Sequence, residues 1–312
     1  MEKLKVSAAD EKRVKALGFL RNRGTDNFSG RVITVNGKIT AEQTMAIAEA
    51  ARKFGNGNIT MTTRLTVECQ GIPYEKIDDF IAAINAAGMI TGGTGARTRP
   101  VVSCKGTTCR FGLIDTFALS EEIHNKFFLE MGKYSMPHKF KIAVGGCPNN
   151  CVKPDLNDVG VIGQRVPVYM TDKCKSCKKC GVELGCPVGA SKLVDGKLVI
   201  DKAICNNCGR CLTNCYFGAI SGEMTGYKIY IGGRWGKKTA SGRALSKIFF
   251  DKDEVMKTVE KAFLLFREQG IQGERFAVTI DRLGFENVER ELLSDDILAR
   301  RDAILSAELK KA

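Results

Sequence analysis

Two cysteine runs constrain this chain more than any other feature. Cys174, Cys177 and Cys180 are followed by Cys186-Pro187, and Cys205, Cys208 and Cys211 are followed by Cys215, giving two C-x2-C-x2-C runs that each carry a distant fourth thiol. Residues 166–222 hold eight of the thirteen cysteines, set in short loops of Lys, Gly and Asn with few long apolar segments. Such a stretch reads as a module inserted into a larger domain. The cysteine count is odd and the first twenty residues interrupt their apolar positions with charges, so neither a secreted disulfide set nor a signal-peptide core is expected. A cytoplasmic, reducing setting is expected instead, in which clustered thiols hold metal. Only two histidines, His124 and His138, are present, so that metal chemistry rests on thiolates, which suit zinc or iron–sulfur clusters.

The spacing favours iron and sulfur. Two-cluster ferredoxins use paired C-x2-C-x2-C runs in which the fourth cysteine of each run ligates the other cluster. Cys186 is therefore expected to join Cys205, Cys208 and Cys211, and Cys215 to join Cys174, Cys177 and Cys180. The first run has five residues before its last cysteine instead of three, which reads as a small loop insertion. Structural zinc is the plainer alternative, but its sites ordinarily use one CxxC pair per half-site. Four earlier cysteines, Cys104 and Cys109 in VVSCKGTTCRFG and Cys147 and Cys151 in VGGCPNNC, have an unusual spacing for zinc, and Gly145, Gly146 and Pro148 suit backbone bent round a third [4Fe–4S] cluster. Cys69 is left over as a buried free thiol.

The rest of the chain reads as mixed helix and strand, an α+β class. Thr40 and Gln43 form a capping box for a helix ending near Gly55. ITMTTRLTVEC alternates as a half-buried strand with Arg64 on its polar face, and Ile77, Phe80, Ile81 and Ile84 make a helical stripe closed by Gly88. GMITGGTGARTRP is an irregular, glycine-rich connection outside the strand–GxGxxG–helix context of a dinucleotide fingerprint. Beyond residue 222 come a strand, YKIYIGG, and a helix from about Asp253 to Gln269 with Val255, Val259, Phe263 and Phe266 on its apolar stripe. In KFKIAV the alternation sets Lys139 and Lys141 on one face and Phe140, Ile142 and Val144 toward the core, so two ammonium groups converge on one anion.

MTTRLTVECQGI, HKFKIAV and the cysteine pairs ending in GCPNNC, in that order, resemble the sirohaem-dependent sulfite and nitrite reductases, and the inserted ferredoxin resembles that of the anaerobic type of sulfite reductase. Many members of that family space the first cysteine pair by five residues, whereas four separate Cys104 from Cys109 here. The resemblance implies a ferredoxin-like half-module over residues 1–90, a sirohaem/[4Fe–4S] reductase domain in two parts, 91–165 and 223–312, and an inserted two-cluster ferredoxin over 166–222. It implies sirohaem beside a [4Fe–4S] cluster, with Cys151 as the thiolate shared with the haem iron, and two further clusters. Arg64, Lys139 and Lys141, with Arg97 or Arg99, match the residues that surround the oxyanion, and Arg64 and Arg97 would also border the cofactor. Close ammonium groups disfavour each other's charge, which makes a lysine a usable general acid.

Charge agrees with this implication. The chain carries 48 Lys plus Arg against 35 Asp plus Glu, a formal +13. Sirohaem carries about eight carboxylates and each oxidised cluster about −2, so cofactors would add roughly −14. Nucleic acid is then unnecessary as a partner, and no aromatic-interleaved basic stripe supports it. No apolar run approaches the ~20 residues of a membrane span. The expected activity is six-electron reduction of sulfite to sulfide, with nitrite to ammonia as the other substrate, fed by an external ferredoxin or a flavoprotein or iron–sulfur subunit. A non-catalytic electron-transfer subunit is the alternative, but it would not need Arg64, Lys139, Lys141 or the Cys104/Cys109/Cys147/Cys151 set. Longer family members carry two copies of the reductase module, whereas TTR, KFK and GCPNNC each occur once here, so a homo-oligomer is expected.

Overall fold

The structure, a computed structural model, describes residues 6–222 and 224–311. Contacts divide the chain into two interleaved units, Met1–Ser103 with Ser120–Ala143 and Val259–Ala312, and Cys104–Leu119 with Val144–Thr258. Helix and strand are mixed through both, which is the α+β class expected.

In the first unit, α1 (Ala8–Ala16) leads into β1 (Phe19–Arg21) and β2 (Asn27–Ile33), then α2 (Ala41–Phe54), β3 (Ile59–Met61), β4 (Val67–Pro73), α3 (Ile77–Ala86) and β5 (Ile90–Thr91). The strands form an antiparallel sheet in the order β1-β2-β4-β3, with β5 also on β2. α2 starts at the expected capping box: Thr40 Oγ1 accepts from Gln43 N at 3.1 Å, Gln43 Oε1 accepts from Thr40 N at 3.1 Å, and Gly55 is the C-cap. Both helices lay their apolar stripes on the sheet, so that Ile47, Ala51, Phe54, Ile77, Phe80 and Ile84 close a core with Phe19, Phe28, Val32, Val67 and Ile72. Cys69 lies in this core, and burial pushes its thiol up to about 12.

The strand expected through Arg64 is a hairpin instead. Leu65 takes a left-handed conformation with φ 59°, Thr62 N donates to Thr66 O at 2.9 Å, and the two threonine hydroxyls meet at 2.7 Å. β3 and β4 therefore pair across a Thr62–Thr66 turn, and Arg64 stands at its tip rather than on a strand face.

The remaining first-unit core forms round Phe140. Its ring packs against Phe263, Phe266 and Phe276 at centroid distances of 5.8–5.9 Å. Phe263 and Phe266 come from the helix Lys252–Gln269, whose expected stripe of Val255, Val259, Phe263 and Phe266 is fully buried. Glu260 on the same helix is buried and bridges Lys126 Nζ and Arg301 Nε, each at 2.7 Å. β6 (Val102–Ser103) neighbours β7 (Ile142–Gly145), which begins just after Phe140 and runs into the second unit at Val144.

In the second unit, β8 (Val159–Arg165), β13 (Thr225–Ile231) and β14 (Arg243–Phe249) form antiparallel neighbours in the order β14-β13-β8, with β7 beside β8. Between β8 and β13 the chain makes two small ribbons, β9 (Val168–Tyr169) with β12 (Ile220–Ser221) and β10 (Ser191–Val194) with β11 (Lys197–Ile200), and two single helical turns, Gly181–Leu184 and Arg210–Asn214. Among the described residues its buried apolar cluster is small, Val182, Leu198 and Ile220, with partly buried side chains such as Leu193, Leu212, Cys180, Cys211 and Cys215 packed against it. So small a core holds a segment of this length weakly, which is where bound metal would add stability.

Candidate functional site

The first unit gathers cations. Thr98 pairs in parallel with Phe140, Arg99 N donates to Phe140 O at 2.8 Å, and Phe140 N donates to Arg97 O at 3.1 Å, so the segments 97–99 and 139–141 run side by side. The expected alternation holds: Phe140 and Ile142 are buried while Lys139 and Lys141 are half buried. Arg64 fastens the two segments. Its Nη2 donates to Pro100 O at 2.6 Å and Ile142 O at 3.3 Å, and its Nε to Pro100 O at 3.2 Å.

Arg99 and Arg97 separate. Arg97 is exposed, whereas Arg99 is half buried, donates from Nη1 to Gly93 O at 2.6 Å, and has a buried Nε without a hydrogen-bond partner among the described residues. Burial, then the charges of Arg31 and Arg275, lower Arg99 to about 10. Arg31 is held by Glu68 at 2.6 Å and by the same Gly93 carbonyl at 3.1 Å. His138 completes the group: burial, then Arg275, Lys139, Arg99 and Lys141, lower it, and its Nδ1 accepts from Lys139 N at 2.7 Å. These four cations surround one imidazole and depress its protonation, an arrangement that stores attraction for an anion. Arg31, His138 and Arg275 join this group with no spacing signal in the sequence, because Arg31 comes from β2 and Arg275 from the cap of a C-terminal helix, Phe276–Leu283.

The second unit gathers thiols. Burial raises the Cys147 thiol, and the neighbouring Cys104, Cys151 and Cys109 raise it further, so the four expected cysteines are electrostatic neighbours. Their loops are close-packed at glycine. A Cβ on Gly146 would lie 2.8 Å from Gly106 Cα, and one on Gly112 would lie 1.8 Å from Gly106 O. Gly146 N donates to Cys104 Sγ at 3.1 Å and Leu113 N to Gly146 O at 2.9 Å. Thiols that disfavour one another's ionisation, an amide aimed at sulfur and a cradle without side chains fit an iron–sulfur cluster, whose positive irons relieve the thiolate repulsion.

The eight later cysteines fall into two neighbourhoods. Cys211 is pushed up to about 11 by burial and then by Cys205, Cys208 and Cys186, and Cys205 is raised by burial and then by Cys208 and Cys186. Cys186, from the first run, therefore sits with the second. In the other set the Tyr169 hydroxyl lowers Cys174, and Tyr169 also senses Cys180. Ala219 N donates to Cys215 Sγ at 3.2 Å. Among the described residues no three Cys, His, Asp or Glu side chains converge closely enough to hold a single metal ion.

The sequence profile of the nitrite and sulphite reductase 4Fe-4S domain matches residues 94–297, and that of the nitrite/sulfite reductase ferredoxin-like half domain matches residues 21–87. The chain belongs to the nitrite and sulphite reductase family. It is 30% identical over 247 residues to a coenzyme F420-dependent sulfite reductase of Methanocaldococcus jannaschii, spanning 78% of this chain and 38% of that one. It is 29% identical over 195 residues to an anaerobic sulfite reductase subunit of Salmonella typhimurium, spanning 55% of this chain and 54% of that one. The chain thus covers from under two fifths to just over half the length of these two relatives. A crystal structure of dissimilatory sulfite reductase I superposes with a TM-score of 0.69 at 23% identity, over 85% of this chain and 69% of the other, which shows the family fold. In this family member no described helix is long and apolar enough to cross a membrane.

Proposed function

We propose that this reductase-family chain reduces sulfite to sulfide in six electrons, with nitrite to ammonia as the second substrate. The observation that carries the reading is the side-by-side run of segments 97–99 and 139–141, which sets Arg99, Lys139 and Lys141 close together, with Arg275 near enough to Arg99 and His138 to lower both. A small oxyanion suits such a group, and sirohaem's carboxylates suit the wider basic excess of +13. When bound, sirohaem and its coupled cluster would supply the redox centre that takes the substrate through its central atom and passes electrons to it.

Cys104, Cys109, Cys147 and Cys151 would hold that cluster, with Cys151 shared with the haem iron; the glycine cradle and the Gly146 amide support this set. Residues 166–222 would hold the two remaining [4Fe–4S] clusters and pass electrons inward from an external donor protein. Reduction of sulfite expels each oxygen as water, so protons must reach oxygen. Lys139 and Lys141 are assigned that delivery, since both leave the core on one side of an extended segment. Arg99 neutralises the oxyanion, and Arg64, through the Pro100 and Ile142 carbonyls, holds the two cation-bearing segments together. Arg97 borders the cofactor. With a single copy of each motif, the chain is proposed to work as a homodimer.

The test replaces Lys139 or Lys141 by alanine. Sirohaem and iron content should stay at wild-type levels while turnover of sulfite and of nitrite falls by about a hundredfold or more, the scale of a lost general acid. Unchanged turnover would leave an electron-transfer role as the better reading, and loss of cofactor would reassign the lysines to cofactor binding.

A further inference from the structure

The two cysteine sets of segment 166–222 are not equivalent in their surroundings. The set of Cys186, Cys205, Cys208 and Cys211 borders the loops of Cys104, Cys109, Cys147 and Cys151. The Arg210 guanidinium lies over the Phe111 ring at 5.7 Å, two residues beyond Cys109. Asn206 shares with Pro148 and Asn150 the wall of a cavity of about 120 Å³. Arg165, at the end of β8, pairs with Cys208, donates from its amide to Asn207 O at 2.7 Å and from Nε to Gly222 O at 2.7 Å. The set that starts at Cys174 packs elsewhere, on the β10–β11 ribbon, with Lys197 and the Leu198 amide beside Cys174 and Ser176 against Gly196.

The surface over this outer set is unusual. Lys173, Lys175, Lys178 and Lys179 are all exposed, and they supply four of the eight basic residues of the whole segment, with Asp172 as the one acid beside them. Tyr216, next to Cys215, is 95% exposed and meets Phe217 edge-on at 5.3 Å; Leu184 is 75% exposed. Leu184 and Tyr216 are carried on touching stretches of chain. A Cβ on Gly181 would lie 2.4 Å from Asn214 O and one on Gly185 2.0 Å from Asn214 Nδ2, so the turn that carries Leu184 lies directly on the chain that carries Tyr216. A tyrosine left in water gains nothing for the fold, whereas exposed aromatics in a segment rich in exposed lysine have the composition of an interface.

The geometry points to this segment as the docking surface for an acidic one-electron carrier protein, which delivers electrons to the cluster held by Cys174, Cys177, Cys180 and Cys215. The inference rests on the reading of both runs as iron–sulfur ligands. Its partner follows from charge: exposed lysines flanking Cys174, Cys177 and Cys180 steer a negative surface and repel a basic one. A cluster held by Cys174, Cys177, Cys180 and Cys215 would accept one electron from each carrier it oxidises, with no bond or proton moved, and Cys186, Cys205, Cys208 and Cys211, bordered by Arg210 and Phe111, would hold the next acceptor toward the Cys104 set.

Flavodoxin hydroquinone is a suitable probe, since it is acidic, transfers one electron and reports its own oxidation through the colour of its semiquinone. Mixed in a stopped-flow with the iron-replete protein, it should be oxidised at a bimolecular rate that falls steeply with salt. Combining Lys175→Glu, Lys178→Glu and Lys179→Glu should slow that rate about tenfold or more at low salt and remove its salt dependence. Reduction by methyl viologen, which needs no protein docking, should stay within about twofold. A flavodoxin rate unchanged by the reversals, or lost in equal measure with viologen at wild-type iron content, overturns the surface. If the reversals cost iron, the three Lys→Gln changes and the salt dependence of the wild-type rate decide instead, and a wild-type rate indifferent to salt overturns it. A wild-type chain that binds no iron overturns the iron–sulfur reading as well, whereas an iron-replete chain reduced by viologen but indifferent to carrier charge overturns the docking surface alone. Sulfite and nitrite turnover play no part in the readout.

Discussion

Lys139 and Lys141 show what strand periodicity can give and what it cannot. Alternation along 139–142 sends Phe140 and Ile142 into the core, so the position of both lysines follows from the sequence pattern alone. Arg31 and Arg275 do not follow from it, because they come from distant segments that only the fold joins to Arg99, His138 and the lysines. Arg64 was legible as a residue and not as a place: TTRLT contains neither Gly nor Asn, yet Leu65 adopts the left-handed turn that puts Arg64 at a hairpin tip. The other histidine is a core residue with a measurable consequence. His124 is buried, meets the Phe128 ring at a tilt with centroids 4.8 Å apart, and burial lowers it to about 4 from an ordinary 6.5. Above pH 6.5 it is neutral folded or unfolded and has no effect on the pH dependence of stability. Below that pH the unfolded chain takes up a proton that the folded chain refuses until about pH 4, so stability is lost over this window by up to ~1.4 kcal/mol per pH unit. Denaturant midpoints of wild type and His124→Leu should therefore change relative to each other between pH 6.5 and 4, with wild type losing more as pH falls; parallel curves would contradict a neutral buried His124.

Elements with local punctuation were readable: the capping box starts α2, the apolar stripe of α3 ends near Gly88, and the helix Lys252–Gln269 begins one residue before its expected start. β1 and β14 were not, since three residues of FLR and the mixed RALSKIF carry no clear period, and their pairing with β2 and β13 comes from long-range contacts. The cysteine loops are elements in their own right, and their glycines make them testable. Gly146→Ala would drive a Cβ against the Gly106 backbone at 2.8 Å, where nothing flexible can yield. The variant should lose the iron of one cluster, about four atoms per chain, and its haem absorption, while the two ferredoxin clusters remain; full iron content would show that the loops do not enclose a cluster. Cys180→Ser belongs to the outer set and should behave differently. It should damage one ferredoxin cluster, leave the sirohaem bands intact, and slow reduction by a carrier protein more than reduction by viologen. Equal slowing would make the segment structural rather than conducting.

For the whole chain, the family and the α+β class were both legible, because TTR, KFK and GCPNNC in order are specific and the profiles match 21–87 and 94–297. Composition set residues 166–222 apart and the resemblance implied further limits at 90 and 165; contacts describe the chain at another level, as two interleaved units with residues 120–143 and 259–312 in the first. Phe140, Phe263, Phe266 and Phe276 explain this interleaving, since one aromatic core draws on both stretches and no local pattern announces it. The charge of +13 also gains its meaning at this scale. Anionic cofactors would offset most of it, so the loaded protein should elute from a cation exchanger well before the apoprotein. The most direct test of the reading as a sirohaem and three-cluster reductase is an absorption spectrum of anaerobically purified protein together with its iron content. Sirohaem bands with about thirteen iron atoms per chain, twelve from three clusters and one from the haem, are the expected result; about eight iron atoms and no haem bands would contradict it and leave a ferredoxin-like carrier.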